Sequence, residues 1–138
     1  MIGIVIVTHG QLGQALADTA GLILGAPPES VMAVSIDLTQ PVDKLAEKIE
    51  TAIKSVDSNK GIILLTDMFG GTPSNLSYSF LDEGRIEVIS GVNLPVLLKA
   101  INIRKKDMDL NQMAQTIESY GKKSISLASG ILKGEKRT

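Results

Sequence analysis

Apolar positions along this chain fall into two alternating patterns. Three runs, Ile2–Thr8, Val31–Ile36 and Gly61–Thr66, are rich in Ile, Val and Leu with little polar alternation. Parallel strands covered on both faces read this way. A shorter run, Ile86–Ser90, reads as a fourth strand. Between the runs, apolar residues recur at helical spacing. Leu12, Ala15, Leu16, Ala20 and Ile23 mark a helix after the first strand. Val42, Leu45, Ala46, Ile49, Ile53 and Val56 mark one after the second, with Pro41 at its start. Thr72 then Pro73 reads as N-cap and first residue of a third helix running to about Phe80. A fourth helix covers Pro95 to Ile103. A fifth starts at Asp109, where Gln112 completes a capping box, and stops at Tyr120 before Gly121. Ile125–Leu127 reads as a short last strand.

This alternation predicts an α/β fold, a doubly wound open sheet with its parallel strands in the flavodoxin-like order 2-1-3-4. A length of 138 residues suits one compact domain. We place it at residues 1–129, followed by a basic, Gly-containing tail at 130–138. Charge then narrows the function. Fourteen Lys and Arg against fifteen Asp and Glu give a net charge of −1, which lacks the basic excess expected of a nucleic-acid binder. With no cysteine and one histidine, neither a thiolate nor a multi-His metal centre is expected, and no cofactor is called for. No run approaches the roughly 20 apolar residues that span a bilayer, and the apolar start has no basic flank. The expectation is a soluble, cytoplasmic protein.

In such sheets the reactive crevice lies beyond the carboxyl ends of the strands, where the strand order reverses. Here that is between the first strand, ending Thr8-His9-Gly10, and the third, ending Thr66-Asp67-Met68-Phe69-Gly70-Gly71-Thr72-Pro73. A lone histidine more often satisfies a local hydrogen bond than performs chemistry. His9, between a buried strand and a helix, is placed for the latter. A neutral imidazole is a nucleophile at one nitrogen when an acceptor holds the other, and Asp67 is the candidate acceptor. The glycine pair before a helix offers close backbone approach and free N–H groups for a phosphate. Backbone N–H groups at Gly10, Gln11, Gly71 and Thr72 are the candidate phosphate contacts. Met68 and Phe69 form an apolar rim suited to a transient protein partner. No GxxxxGK[ST] and no GxGxxG after the first strand are present, so nucleotide binding is disfavoured.

Three segments, IVIVTHG, TDMFGGTP and SGVNLPVLL, together resemble the enzyme IIA domain of the mannose family of the phosphoenolpyruvate-dependent sugar phosphotransferase system. The resemblance runs from Met1 to about Leu127. It implies that His9 is the phosphorylated residue, receiving the phosphoryl group from HPr and passing it to a histidine of an enzyme IIB. It implies that Asp67 holds the other imidazole nitrogen and that Thr72 lies near the phosphate. Membrane IIC and IID components would be met only indirectly. It also implies a short antiparallel fifth strand exchanged in a homodimer, with Ser124–Leu127 as candidate. Better-known members carry a polar residue and Trp where this chain has Met68 and Phe69, which removes one hydroxyl from the site. No fused IIB segment follows, so a separate IIB polypeptide is expected.

Three other readings share some of these residues. The phosphotransferase subunit of dihydroxyacetone kinase has a similar first domain. A regulatory module would use the same phosphorylation without onward transport. A signalling receiver would phosphorylate Asp67 itself, but needs a carboxylate pair after the first strand, where this chain has His9 and no acid until Asp18.

Overall fold

The computed structural model describes residues 1–134. The elements run β1 (Gly3–His9), α1 (Leu12–Leu24), β2 (Val31–Ile36), α2 (Val42–Val56), β3 (Ile62–Thr66), α3 (Thr72–Tyr78), β4 (Ile86–Ser90), α4 (Leu94–Ile103), α5 (Leu110–Lys122) and α6 (Ala128–Leu132). The sheet is four-stranded and parallel in the order β2-β1-β3-β4, as the alternation predicts.

The near-continuous apolar runs exist because both faces of the sheet are covered. Ile2, Ile4 and Ile6 join Ile63 and Leu65 in a core with residues of α4 and α5, including Leu97, Ile101, Met113 and Ile117. Val5 and Val7 point the other way, with Ile62 and Leu64, against Leu45, Ile49, Ile53 and Val56 of α2. Each such side chain contributes roughly 1.5–3 kcal/mol when fully buried. The register aligns Val7 with Thr66, so Asp67, the residue after β3, comes level with the end of β1.

Several element details differ from the sequence reading. On α1, Leu12, Ala15 and Ile23 are exposed; Ala20 is buried as the spacing predicts, and Gly13 is buried with it. Gly71, not Thr72, is the N-cap of α3, because the first intrahelical bond is Asn75 N–H to the Gly71 carbonyl at 2.9 Å. The helix ends at Tyr78 and not near Phe80, since Ser79, Phe80 and Leu81 bond three residues back and tighten the chain. Asn93 caps α4, its side chain accepting from Val96 N–H at 2.9 Å. Gly121 does not terminate α5, which runs to Lys122. A Cβ on Gly121 would stand 3.0 Å from Val96 Cγ2, so this glycine permits the approach of α5 to α4.

The carboxyl-terminal region differs most. Ser124-Ile125-Ser126-Leu127 alternates like a strand, yet within the single chain these residues join no strand ladder. Ser124 Oγ accepts from Asn93 Nδ2 at 3.0 Å, and α6 follows across the expected boundary at residue 129. Residues 135–138 of the expected tail lie outside the described residues.

At the opposite end of the sheet from His9, Arg104 is 7% exposed. It donates through Nη1 to the carbonyls of Ile2 and Ser30, both at 3.2 Å, and through Nη2 to that of Glu29. Arg104→Met removes this donor, although the Ser30 carbonyl keeps the Ile4 N–H at 3.0 Å. It should cost about 1–3 kcal/mol in urea unfolding, the scale of a buried acceptor left without its partner. An unchanged midpoint and slope would show that the clamp adds nothing to stability.

Candidate functional site

The sequence Thr8-His9-Gly10 turns the chain out of β1 and into α1. Thr8 is buried, and its Oγ1 accepts the Gly13 N–H at 2.8 Å, fixing the start of α1. Gly10 has φ +50°, a left-handed conformation that a side chain would strain. Its N–H donates to the Ile36 carbonyl at 3.3 Å. That amide is therefore engaged within the protein at the end of β2, and the left-handed Gly10 forms the turn into α1.

Two strand ends meet at His9. The Nδ1 atom lies 2.7 Å from Asp67 Oδ2, and the same oxygen accepts the His9 backbone N–H at 2.9 Å. Asp67 Oδ1 accepts the Met68 N–H at 3.0 Å. A carboxylate is an acceptor only, so the short contact assigns the ring proton to Nδ1 and leaves Nε2 with its lone pair. Burial of Asp67, whose side chain is 10% exposed, acts to raise its pKa. The His9 backbone bond, the ring bond and charge, and the Met68 bond outweigh burial and hold the carboxyl below its ordinary value of 3.8. His9 is the more open partner, with 39% of its side chain exposed.

Gly71 lies directly against the ring. A Cβ there would stand 2.9 Å from His9 Cε1 and 3.5 Å from Nε2. The glycine thus keeps the approach to Nε2 free of a side chain. Thr72 follows as the first residue of α3, half-buried. Met68 and Phe69, on the loop after β3, are 54% and 78% exposed. The structure therefore brings together His9, Asp67 and Gly71, with Thr72 adjacent in the chain. Periodicity and motif reading missed Ser74 and Ser90, which lie within hydrogen-bond distance of Thr66 beneath the loop. Their only sequence signal is a serine where an apolar core position would be expected.

A groove of about 630 Å³ lies elsewhere, along the outer side of β4 between Phe69, Tyr78, Ser90 and the α5 residues Gln115, Glu118 and Lys122. A small-molecule enzyme would be expected to place its nucleophile in such a concavity; His9 is outside it.

Comparison with known proteins converges on one group. The family model described as PTS system fructose IIA component matches residues 3–118. The chain is 34% identical over 125 residues to the PTS system fructose-specific EIIA component of Bacillus subtilis (strain 168), covering 87% of this chain and 85% of that protein. It is 31% identical over 125 residues to the PTS system mannose-specific EIIAB component of Escherichia coli (strain K12), covering 90% of this chain and 38% of that longer protein. The crystal structure of phosphotransferase system component EIIA from Streptococcus agalactiae superposes with a TM-score of 0.83 at 26% identity, covering 94% and 98% of the two chains. The chain belongs to this family of IIA phosphocarrier components of the sugar phosphotransferase system.

The Asp67 geometry has a pH consequence. A carboxyl held low in the folded state adds stability that is present above its unfolded value and lost as pH falls through its folded value. Asp67→Asn should lower unfolding free energy at pH 7 by about 1.5–3 kcal/mol, the scale of hydrogen bonds to a charged group. The gap to wild type should close as the pH is brought well below 3.8. A gap that stays undiminished as the pH falls through the range where the wild-type carboxyl takes up its proton would contradict the assignment.

Proposed function

We propose that this member of the family carries the phosphoryl group on His9 Nε2, taking it from phospho-HPr and passing it to a histidine of an enzyme IIB. The observation that carries the reading is the 2.7 Å contact between Nδ1 and Asp67, which leaves Nε2 as the attacking atom beside the bare Cα of Gly71. Attack forms one N–P bond on His9 as the N–P bond of the donor histidine breaks. The ring becomes positive while Nδ1 keeps its proton, and the Asp67 carboxylate balances that charge. Because a phosphoramidate is exchanged for a phosphoramidate, little driving force is needed, and catalysis reduces to in-line placement and charge stabilisation.

The equatorial oxygens would be met by the N–H groups of Gln11, Gly71 and Thr72 and by the Thr72 hydroxyl. Two proteins must reach one imidazole in turn, which favours a shallow site with an exposed apolar rim at Met68 and Phe69. HPr and enzyme IIB are the partners of that rim, and the work is done in the cytoplasm. Among the described residues no helix is long and apolar enough to cross a membrane. The sugar is not written at this site, which would touch only phosphoryl carriers.

We also propose a homodimer in which Ser124–Leu127 of each copy pairs antiparallel with β4 of the other. The outer side of β4 is an edge of the sheet and borders the 630 Å³ groove. Ile125 and Leu127 are 76% and 73% exposed in the single chain. An open strand edge and an alternating apolar segment are complementary features that pairing would cover together.

Incubation with phosphoenolpyruvate, enzyme I and HPr should label the chain at His9 with an acid-labile, alkali-stable phosphoryl group, and His9→Ala should remain unlabelled. Full labelling of that variant, or label that survives acid, would sink the phosphocarrier mechanism. Light scattering should give a dimer for the full chain at micromolar concentration and a monomer for a truncation after Lys123. A monomeric full chain would refute the exchange, and a dimeric truncation would move the interface elsewhere.

A further inference from the structure

Beneath the loop that carries Asp67 lies a cluster of hydroxyls contributed by β3, α3 and β4. Thr66 and Ser74 are fully buried. Thr66 Oγ1 lies 2.6 Å from Ser74 Oγ and 3.0 Å from Ser90 Oγ. Ser74 and Ser90 are 3.2 Å apart, and Tyr78 Oη lies 3.0 Å from Ser90 Oγ. Ser74 Oγ also donates to the carbonyl of Met68. Nothing in the phosphoryl transfer described above uses this cluster.

Its position relative to Asp67 gives it a role. Met68 is gripped at both ends of its backbone. Its N–H donates to Asp67 Oδ1 at 3.0 Å, and its C=O accepts from Ser74. A hydroxyl has one hydrogen and two acceptor sites. With that hydrogen on the Met68 carbonyl, the oxygen of Ser74 must be supplied by its buried hydroxyl neighbours. Thr66 Oγ1 at 2.6 Å and Ser90 Oγ at 3.2 Å each carry a single hydrogen, and one of these directed at Ser74 Oγ leaves Ser74's own hydrogen for the Met68 carbonyl. Residue 68 is exposed and its apolar side chain anchors nothing polar, so the main-chain grip is what orients it.

We infer that Ser74 is a positioning residue for the His9–Asp67 pair. It holds the Met68 peptide so that the Met68 N–H occupies Oδ1 and Oδ2 is left facing Nδ1. The inference rests on the proposed role of His9, but its first readout does not. Without Ser74's hydroxyl, Met68 loses one of two anchors, the carboxylate rotates more freely, and the Nδ1–H tautomer is less strongly selected.

Nitrogen-15 spectra of the unphosphorylated full chain read the tautomer directly. Ser74→Ala should shift the His9 ring signals toward a mixed tautomer and lose the slowly exchanging Nδ1 proton. Transfer from phospho-HPr should slow by about 10-fold, as expected for modest misplacement of a reacting group. Ser77→Ala is the control: Ser77 is equally buried in α3, but its hydroxyl bonds the Pro73 carbonyl at 2.7 Å, away from the cluster. It should lower thermal stability while leaving the His9 signals in place. Unchanged ring signals in Ser74→Ala, or equal changes in both variants, would overturn the proposal. If Ser74→Ala does not fold, Thr66→Val removes the 2.6 Å partner of Ser74 at nearly constant volume and must produce the same ring signature. A wild-type chain that accepts no phosphoryl group would remove the function of His9, while the ring signals would still decide the role of Ser74.

Discussion

The bond between His9 Nδ1 and Asp67 Oδ2 joins the ends of β1 and β3 across the point where the strand order reverses. Much of the local architecture serves that contact. The register of β1 on β3 brings Asp67 level with the end of β1. The same carboxylate oxygen that takes the ring proton also takes the His9 main-chain N–H, so backbone and side chain of one residue are fixed by one atom. Two hydrogen bonds converging on a shielded carboxylate are individually worth only about 1.5–3 kcal/mol. Their importance lies in selecting one tautomer and one ring orientation, which a flexible imidazole would not otherwise keep.

The parts of the fold that were legible in the sequence are those where burial is two-sided. Ile4, Val5, Ile6 and Val7 have no exposure on either face, so the strand writes itself as an unbroken apolar run. Helix α2 is legible for the opposite reason: one face is buried at Leu45, Ile49, Ile53 and Val56 and the other is charged. Helix α1 misleads because apolar residues occur on both its faces, and composition cannot say that Ala20 is inside while Ile23 is outside. Gly121 looks like a helix terminator from sequence because a glycine that permits close packing and one that permits a left-handed turn are the same letter. The segment Ser124–Leu127 has the pattern of a strand, but a strand is defined by its neighbour, and in one chain the ladder is absent.

At the site, His9 and Asp67 were legible because each is a titratable residue set at the end of a buried strand, and the topology alone brings those ends together. Gly71 was legible as a glycine but not for its reason, which is the 2.9 Å approach that a Cβ would make to the imidazole. The Gly10 amide looks free in the sequence, yet in the fold it donates to the Ile36 carbonyl at the end of β2. Ser74 left no trace in periodicity. Serine is neutral to a hydrophobic pattern, and its significance appears only once Thr66, Ser90 and the Met68 carbonyl surround it.

The separation of His9 from the groove beside β4 fits what the proposed relay and the proposed dimer must each accommodate. A substrate that is a small molecule is best enclosed, since enclosure supplies affinity and excludes water. A substrate that is another protein's phosphohistidine arrives on a convex surface, and enclosure would block it. Precision must then come from below the surface instead of from walls around it. In this molecule the exposed ring has its other nitrogen locked to an acid that is 10% exposed, and that acid stands on main chain gripped by buried hydroxyls. The groove beside β4, by contrast, is lined by strand and helix side chains and contains no histidine. On the proposed reading, that groove keeps polypeptide while the surface at His9 meets it only in passing.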